Sequence, residues 1–359
     1  MMRKWLLLLE SGLLVGGLAL AFAVWQQKAA LEQPLILTEE RLLEVPSGAT
    51  PGGLLNRLQG DGLLRGSFWL RLYWRFNLSE QGLRSGEYRL APGMTAVELL
   101  DLWQRGEVVQ YNLTLVEGWS FRQVRAALAR ADKLDQSLAG VSDAELMTRL
   151  GLSDAHPEGR FFPDTYRYVR GMSDFELLKQ AHARLQQVLA EEWAERSPNL
   201  PYATPYEALI MASIIEKETG VPHERQQIAG VFVRRLEQGM LLQTDPTVIY
   251  GLGERYNGKL GRADLLAATP YNTYLRPGLP PTPIALPGRE AIHAALHPAD
   301  GRELYFVARG DGSHVFSETL EAHNQAVREY QLKRRADYRS SPSPEALERS
   351  VQQDTEENP

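Results

Sequence analysis

Apolar and polar positions divide this chain into four stretches of different character. Across residues 5–25 the run WLLLLESGLLVGGLALAFAVW is apolar apart from Glu10 and Ser11. About 20 apolar residues in a helix cross a bilayer core of about 30 Å, so the run predicts one membrane-spanning helix. Arg3 and Lys4 precede it, and the positive-inside rule then leaves residues 1–4 as a cytoplasmic stub with the rest exported. Trp5 and Trp25 stand at its ends, where aromatic rings anchor in the membrane interface. A cleaved signal peptide competes with this reading, but its apolar part usually runs about 7–15 residues and ends in small side chains. Here Gln26-Gln27-Lys28-Ala29-Ala30 follows Trp25, only a weak site of that kind.

Residues 42–110 form a second stretch built of short alternating pieces. LLEVPSG, GGLLNRLQGDGLL, SFWLRLYWRFN and GEYRLAPGMTAVELLDLWQRGEV predict strand, helix, helix, strand and helix in turn. Pro46-Ser47-Gly48 and Pro92-Gly93 mark turns between them. Residues 111–330 make a larger third stretch that carries every chemical motif. Residues 333–359 are polar, bear Pro and Ser, and show no core-forming period, which predicts a disordered tail. The fold class is α+β: an N-terminal transmembrane helix, a small module and a larger domain.

Composition narrows the chemistry only modestly. The 359 residues are enough for about two domains and need no covalent staple. With no cysteine, the chain has no disulfide framework, thiolate metal site or cysteine nucleophile. Its 39 Lys and Arg against 45 Asp and Glu leave a net charge of -6, which argues against nucleic acid as a partner.

The clearest helix begins at Thr204-Pro205-Tyr206-Glu207, with Thr as N-cap, Pro in the first turn and Glu placed to close a capping box. ALIMASII then follows, apolar on every side, so this helix belongs inside a domain. It closes on Glu216-Lys217-Glu218-Thr219, with Gly220 as the predicted stop. Glu216 is the first charge after the apolar turns. Burial and the negative end of the helix dipole both raise the pKa of such a carboxyl, as a general acid near neutral pH requires. A salt-bridged glutamate at a helix end fits the same residues. Glu218 lies two positions on, roughly 200° around the helix, so the two carboxyls cannot face each other.

Two further clusters are polar where a cleft could use them. Gln243-Thr244-Asp245-Pro246 reads as a turn or cap whose side chains can face a groove, or as a plain helix cap. Tyr271-Asn272-Thr273-Tyr274 leads into the run from Pro277 to Pro283, whose proline density predicts a rigid extended loop. An aromatic face and an amide suit a sugar ring and its acetamido group. His293 and His297, four apart, raise the question of a zinc hydrolase with His314 or His323 as further ligands. The pair lacks the Glu of an HExxH motif and Pro298 follows at once, so no metal or other cofactor is assigned.

Five long motifs in order resemble the endolytic murein transglycosylases, the YceG-like family. They are EGRFFPDTY (158–166), ASIIEKET (212–219), LQTDPTVIYG (242–251), YNTY…PGLPPTPIA…PG (271–288) and LYFVARGDGSHVFSETLEAHNQAV (304–327). The resemblance implies a LysM-like module at 42–110 and a catalytic domain at 111–330. It implies cleavage of MurNAc–GlcNAc bonds inside peptidoglycan strands without water, leaving 1,6-anhydro ends. Glu216, the first glutamate of EKET, is then the expected acid/base. Gln243, Thr244, Asp245, Tyr271 and Asn272 are the expected sugar-binding residues, each of which also reads as a cap or packed loop residue. The expected setting is the cytoplasmic membrane, with the catalytic part outside and cell-wall synthases as partners. A non-catalytic wall-binding protein is the alternative.

Overall fold

The computed structural model describes residues 2–78 and 82–332. Met1 of the expected stub and the expected tail at 333–359 lie outside the described residues. The chain is of mixed α and β type and divides into two compact units.

The first unit runs to Asn112 and also takes in Asp132–Asp135 and Arg167–Ser173. It begins with α1 (Met2–Glu32), an unbroken helix that carries the apolar run and continues past Trp25. The segment Glu10–Glu32 is long and apolar enough to cross a membrane. Leu13, Leu14, Leu18 and Phe22 on it are exposed, while Ala30 and Leu31 pack on the unit's core.

The five pieces expected after it stand where the pattern places them. They are β1 (Arg41–Val45), α2 (Pro51–Gly60), α3 (Phe68–Tyr73), β2 (Gly86–Leu90) and α4 (Ala96–Arg105). β1 and β2 pair antiparallel with Leu43 opposite Tyr88, and alternate side chains Leu43, Val45, Tyr88 and Leu90 enter the core. A capping box at Thr95 and Glu98 starts α4, and left-handed Gly106 ends it. Trp103, fully buried, lies edge-on to Trp74 at 6.1 Å in the middle of this core.

Strand β3 (Gln110–Thr114) follows. The two later segments join the first unit through one buried carboxylate. Glu87 accepts from the Tyr111 hydroxyl and from Arg170 Nε at 2.6 Å, with Lys133 Nζ at 3.9 Å. Burial alone raises the Glu87 pKa, but Tyr111 and Arg170 outweigh it and hold the group below the usual glutamate range.

Beyond β3 the chain continues with α5 (Phe121–Arg130), α6 (Asp143–Arg149), β4 (Thr165–Val169), α7 (Asp174–Ala194), α8 (Pro205–Glu218) and α9 (Arg225–Glu237), the second unit holding all of these but the end of β4. Then come α10 (Asp245–Leu252), α11 (Arg262–Leu265), α12 (Arg289–Leu296), β5 (Tyr305–Ala308), β6 (His314–Ser317) and α13 (Leu320–Val327). β3 pairs with β4, β5 with β6 as an antiparallel hairpin, and α13 packs on that hairpin.

Helix α8 is the centre of this unit. Every residue from Ala208 to Ile215 is buried, and α7, α9, α10 and α12 pack around it. Thr204 caps it by accepting from Glu207 N, while the Glu207 carboxylate reaches Ala203 N at 2.6 Å instead of the cap itself. Gly220 does not stop the helix by a left-handed turn. Thr219 goes extended at φ -140, and its hydroxyl accepts from Val221 N at 2.9 Å. The proline-rich run after Thr273 forms neither helix nor strand, as its composition predicts.

Candidate active site

The last turn of α8 sends its two glutamates into different surroundings. Glu216 shares a face with Ser213, three residues earlier. Ser213 Oγ donates to Ile210 O at 2.7 Å and accepts from Ile284 N at 3.0 Å. Glu216 Oε2 accepts from Gly288 N at 3.0 Å, where Gly288 is the N-cap of α12. Both side chains therefore pin the loop 284–288 to the helix. Half-buried, Glu216 has a pKa raised by desolvation, with the Gly288 N–H pulling the other way.

Glu218 opens onto a cavity of about 540 Å³. Its walls include Arg235 of α9, Leu242, Gln243 and Thr244 before α10, Asp245 of α10, Tyr274, the β5 residues Tyr305 and Phe306, His314 of β6, and His323 of α13. The Thr244 hydroxyl donates to Glu218 Oε1. Desolvation pushes Glu218 up to about 7, Asp245 adds to the rise, and Thr244 and His314 oppose it. Near neutral pH such a carboxyl exists in both forms, able to give a proton and to take one back.

Three of the expected sugar-binding residues line this cavity. Gln243 adopts a left-handed backbone at φ 53, which a non-glycine residue holds only when its neighbours enforce it. They do: Gln243 N donates to Thr273 O at 3.1 Å, and Thr244 N to Thr273 Oγ1 at 3.1 Å. Asp245 accepts from the Tyr274 hydroxyl at 2.6 Å.

Tyr271 and Asn272 do not line it. Asn272 is fully buried; its amide donates to Leu265 O and Ala267 O at 3.0 and 2.8 Å and accepts from Tyr274 N at 2.9 Å. Both amide hydrogens and one acceptor site of its oxygen go into shaping the loop. Tyr271 is half-buried, edge-on to Tyr250 at 4.7 Å, with its hydroxyl 2.9 Å from Thr282 Oγ1.

Several residues of this site were not among the expected sugar-binding residues. Tyr274, in the same motif as Tyr271, is the tyrosine that reaches the cavity. His314 is fixed from behind, its Nδ1 2.7 Å from Glu224 Oε2 and its backbone N 2.8 Å from Glu224 Oε1. Arg235, buried, spends its guanidinium on Leu241 O, Leu242 O and Leu304 O and so holds the turn before Gln243. The motifs holding these residues were visible, but which side chain faces the cavity depends on the folded backbone. Glu158 is buried elsewhere in the unit, takes hydrogen bonds from Phe121 N at 2.8 Å and Tyr250 OH at 3.0 Å, and is pushed up to about 7 by burial.

The motifs around this cavity match a known family model. The YceG-like family model covers residues 43–329. This chain belongs to the YceG-like family. An endolytic murein transglycosylase of Bacillus subtilis is 31% identical over 306 residues, covering 80% of this chain and 84% of that protein. One from Streptococcus pneumoniae is 27% identical over 325 residues, covering 80% of this chain and 57% of that longer protein. The crystal structure of a YceG-like protein from Listeria monocytogenes matches with a TM-score of 0.53 at 31% identity, covering 80% of this chain and 99% of that one.

Proposed function

We propose that this YceG-like chain is an endolytic murein transglycosylase, a lyase that cuts peptidoglycan glycan strands internally, with Glu218 as its acid/base. The observation that carries the assignment is Glu218 itself: a carboxyl with a pKa near neutrality, opening on the cavity walled by Gln243, Thr244 and Asp245. Protonated Glu218 donates to the glycosidic oxygen between MurNAc and GlcNAc as that bond breaks. As carboxylate it then takes the proton from the muramic C6 hydroxyl, which closes on the anomeric carbon to give the 1,6-anhydro end. One carboxyl serves both steps, so the reaction needs neither an activated water nor an enzyme nucleophile. Glu216, whose Oε2 accepts from Gly288 N, we assign to holding the loop 284–288; the family resemblance makes it the rival acid/base, so the two glutamates are tested side by side.

The cavity also holds Asp245, which supports a second reading as a two-carboxyl hydrolase. Product mass separates the two. Full-length protein in detergent, incubated with purified glycan strands, is expected to release fragments one water lighter than hydrolytic products. Glu218→Gln is expected to abolish them and Glu216→Gln to retain them. Full-mass reducing ends would select the hydrolase. A silent Glu218→Gln beside a dead Glu216→Gln would return the role to Glu216. Binding without cleavage by the wild type would select the non-catalytic wall-binding protein.

The same reading extends to the rest of the chain. α1 anchors the protein in the cytoplasmic membrane with its N-terminus inside, both units lie where peptidoglycan is built, and the first unit serves as a LysM-like glycan-holding module. An enzyme so placed ends strands beside the synthases that extend them.

A further inference from the structure

Sequence alone offers His293 and His297 with His314 or His323 as further ligands, and the fold brings Glu192 to the pair instead. We propose that Glu192 of α7 with His293 and His297 of α12 forms a binding site for a zinc ion or a similar borderline divalent cation. A carboxylate oxygen of Glu192 and one nitrogen from each ring all lie within 4.8 Å of one another. Zinc bonds of about 2.0–2.1 Å in a tetrahedral site put ligand atoms roughly 3.4 Å apart, so small side-chain adjustments close the set. One pair is already nearer than that, with Glu192 Oε2 2.9 Å from His293 Nδ1. The two rings stack at 4.2 Å with 27° between their planes, as residues four apart on one helix face can.

The surroundings favour a cation over a simple hydrogen bond. Glu192 is buried, and its other oxygen, Oε1, accepts from Arg289 Nη1 at 2.6 Å. That contact orients the carboxylate and leaves Oε2 facing the rings, the outer-shell support that metal-binding carboxylates use. Glu191 takes the second arm of Arg289, so the two carboxylates and one guanidinium sum to a net negative charge before any ion arrives. The rings of His293 and His297 are half-buried, which gives an ion a path in and leaves a fourth position for water. Two imidazoles and one carboxylate select zinc, copper or nickel over magnesium or calcium. None of the three residues lines the cavity at Glu218. A bound ion would clamp α7 to α12, the helix that follows the loop 284–288.

The test is a titration of untagged full-length protein in detergent, stripped with a chelator, with Zn²⁺ in competition with a chromogenic zinc indicator. One saturable equivalent is expected, and Co²⁺ in its place is expected to show the visible absorption of a tetrahedral site. His293→Asn, at a half-exposed position, should weaken binding on the order of 100-fold or more, beyond the roughly 10–100-fold that losing an outer-shell partner costs. His297→Asn should do the same, and glycan cleavage by the metal-free variants should match that of the metal-free wild type. No saturable equivalent, or equal affinity in wild type and His293→Asn, overturns the site. If His297→Asn does not fold, His293→Asn decides alone.

Discussion

Glu216 and Glu218 close the same helix with one residue between them, and the two regions they face differ in kind. On the Glu216 side the hydrogen bonds come from backbone N–H groups of a buried loop, Ile284 through Ser213 and Gly288 through the carboxylate, with the charges of Glu117, Arg225 and Lys217 nearby. On the Glu218 side the partners are side chains around an open cavity, with Thr244 on the carboxyl and Asp245, Tyr274 and His314 nearby. Both glutamates have raised pKa values, and desolvation leads in each. A raised pKa therefore does not tell an acid from a scaffold. What separates them here is that Glu218 lines the cavity at Gln243–Asp245 and Glu216 does not.

Substitutions on the two sides should fail differently. The largest effect expected is from Glu218→Gln, a loss of about 10²–10⁴-fold in glycan cleavage, the range general acid–base catalysis contributes. Thermal unfolding of that variant should show no loss of stability. Ser213→Ala should do the reverse. It leaves the buried Ile284 N–H unpaired, and denaturant unfolding should record a loss of about 1–3 kcal/mol. Equal activity losses in the two variants would erase the distinction.

The pH dependence comes next in size. If Glu218 must be protonated to cleave, activity should fall above about pH 7, near tenfold per unit, in the pH profile of kcat/KM. Stability carries the same sign. A carboxyl raised from 4.5 to about 7 on folding stabilises the fold fully below the lower value, and that contribution is lost as pH rises through the upper one. Glu158 adds a contribution of the same sign, so the comparison of wild type with Glu218→Gln isolates Glu218. At pH 8 the variant should be the more stable of the two.

The smallest effect expected is from His314→Asn. His314 lowers the Glu218 pKa, so its removal should move the alkaline arm of the profile upward while cleavage at pH 6 is largely kept. An unmoved arm would place His314 outside the proton chemistry.

How much of this was legible beforehand varies from element to element. The order β1, α2, α3, β2, α4 follows from local period and turn residues, because each piece is short and amphipathic and is bounded by Gly or Pro. The burial of α8 follows from the apolar run 208–215, which leaves no polar face to turn outward. The choice between Glu216 and Glu218 does not follow, since helical spacing says only that they point apart. Asn272 illustrates the same gap. An amide beside tyrosines suits a sugar, yet three backbone groups of its own loop claim it. Nor does local pattern announce that Asp132–Asp135 and Arg167–Ser173 belong with the first unit, since Lys133 and Arg170 lie far from Glu87 in sequence.

By itself, then, the amino-acid order determined the apolar N-terminal helix, the alternation of the first unit, the buried helix with its two terminal glutamates, the rigid proline loop and the family. These depend on interactions between residues a few positions apart, which period, capping and turn chemistry record directly. Tertiary structure alone decided which glutamate lines the cavity at Gln243–Asp245, which residues of the polar loops reach it, and that Glu192 lies beside two histidines about 100 positions away. Each of those depends on contacts between distant segments. Their geometry is set by how α7, α8, α10 and α12 pack, and no local pattern encodes it.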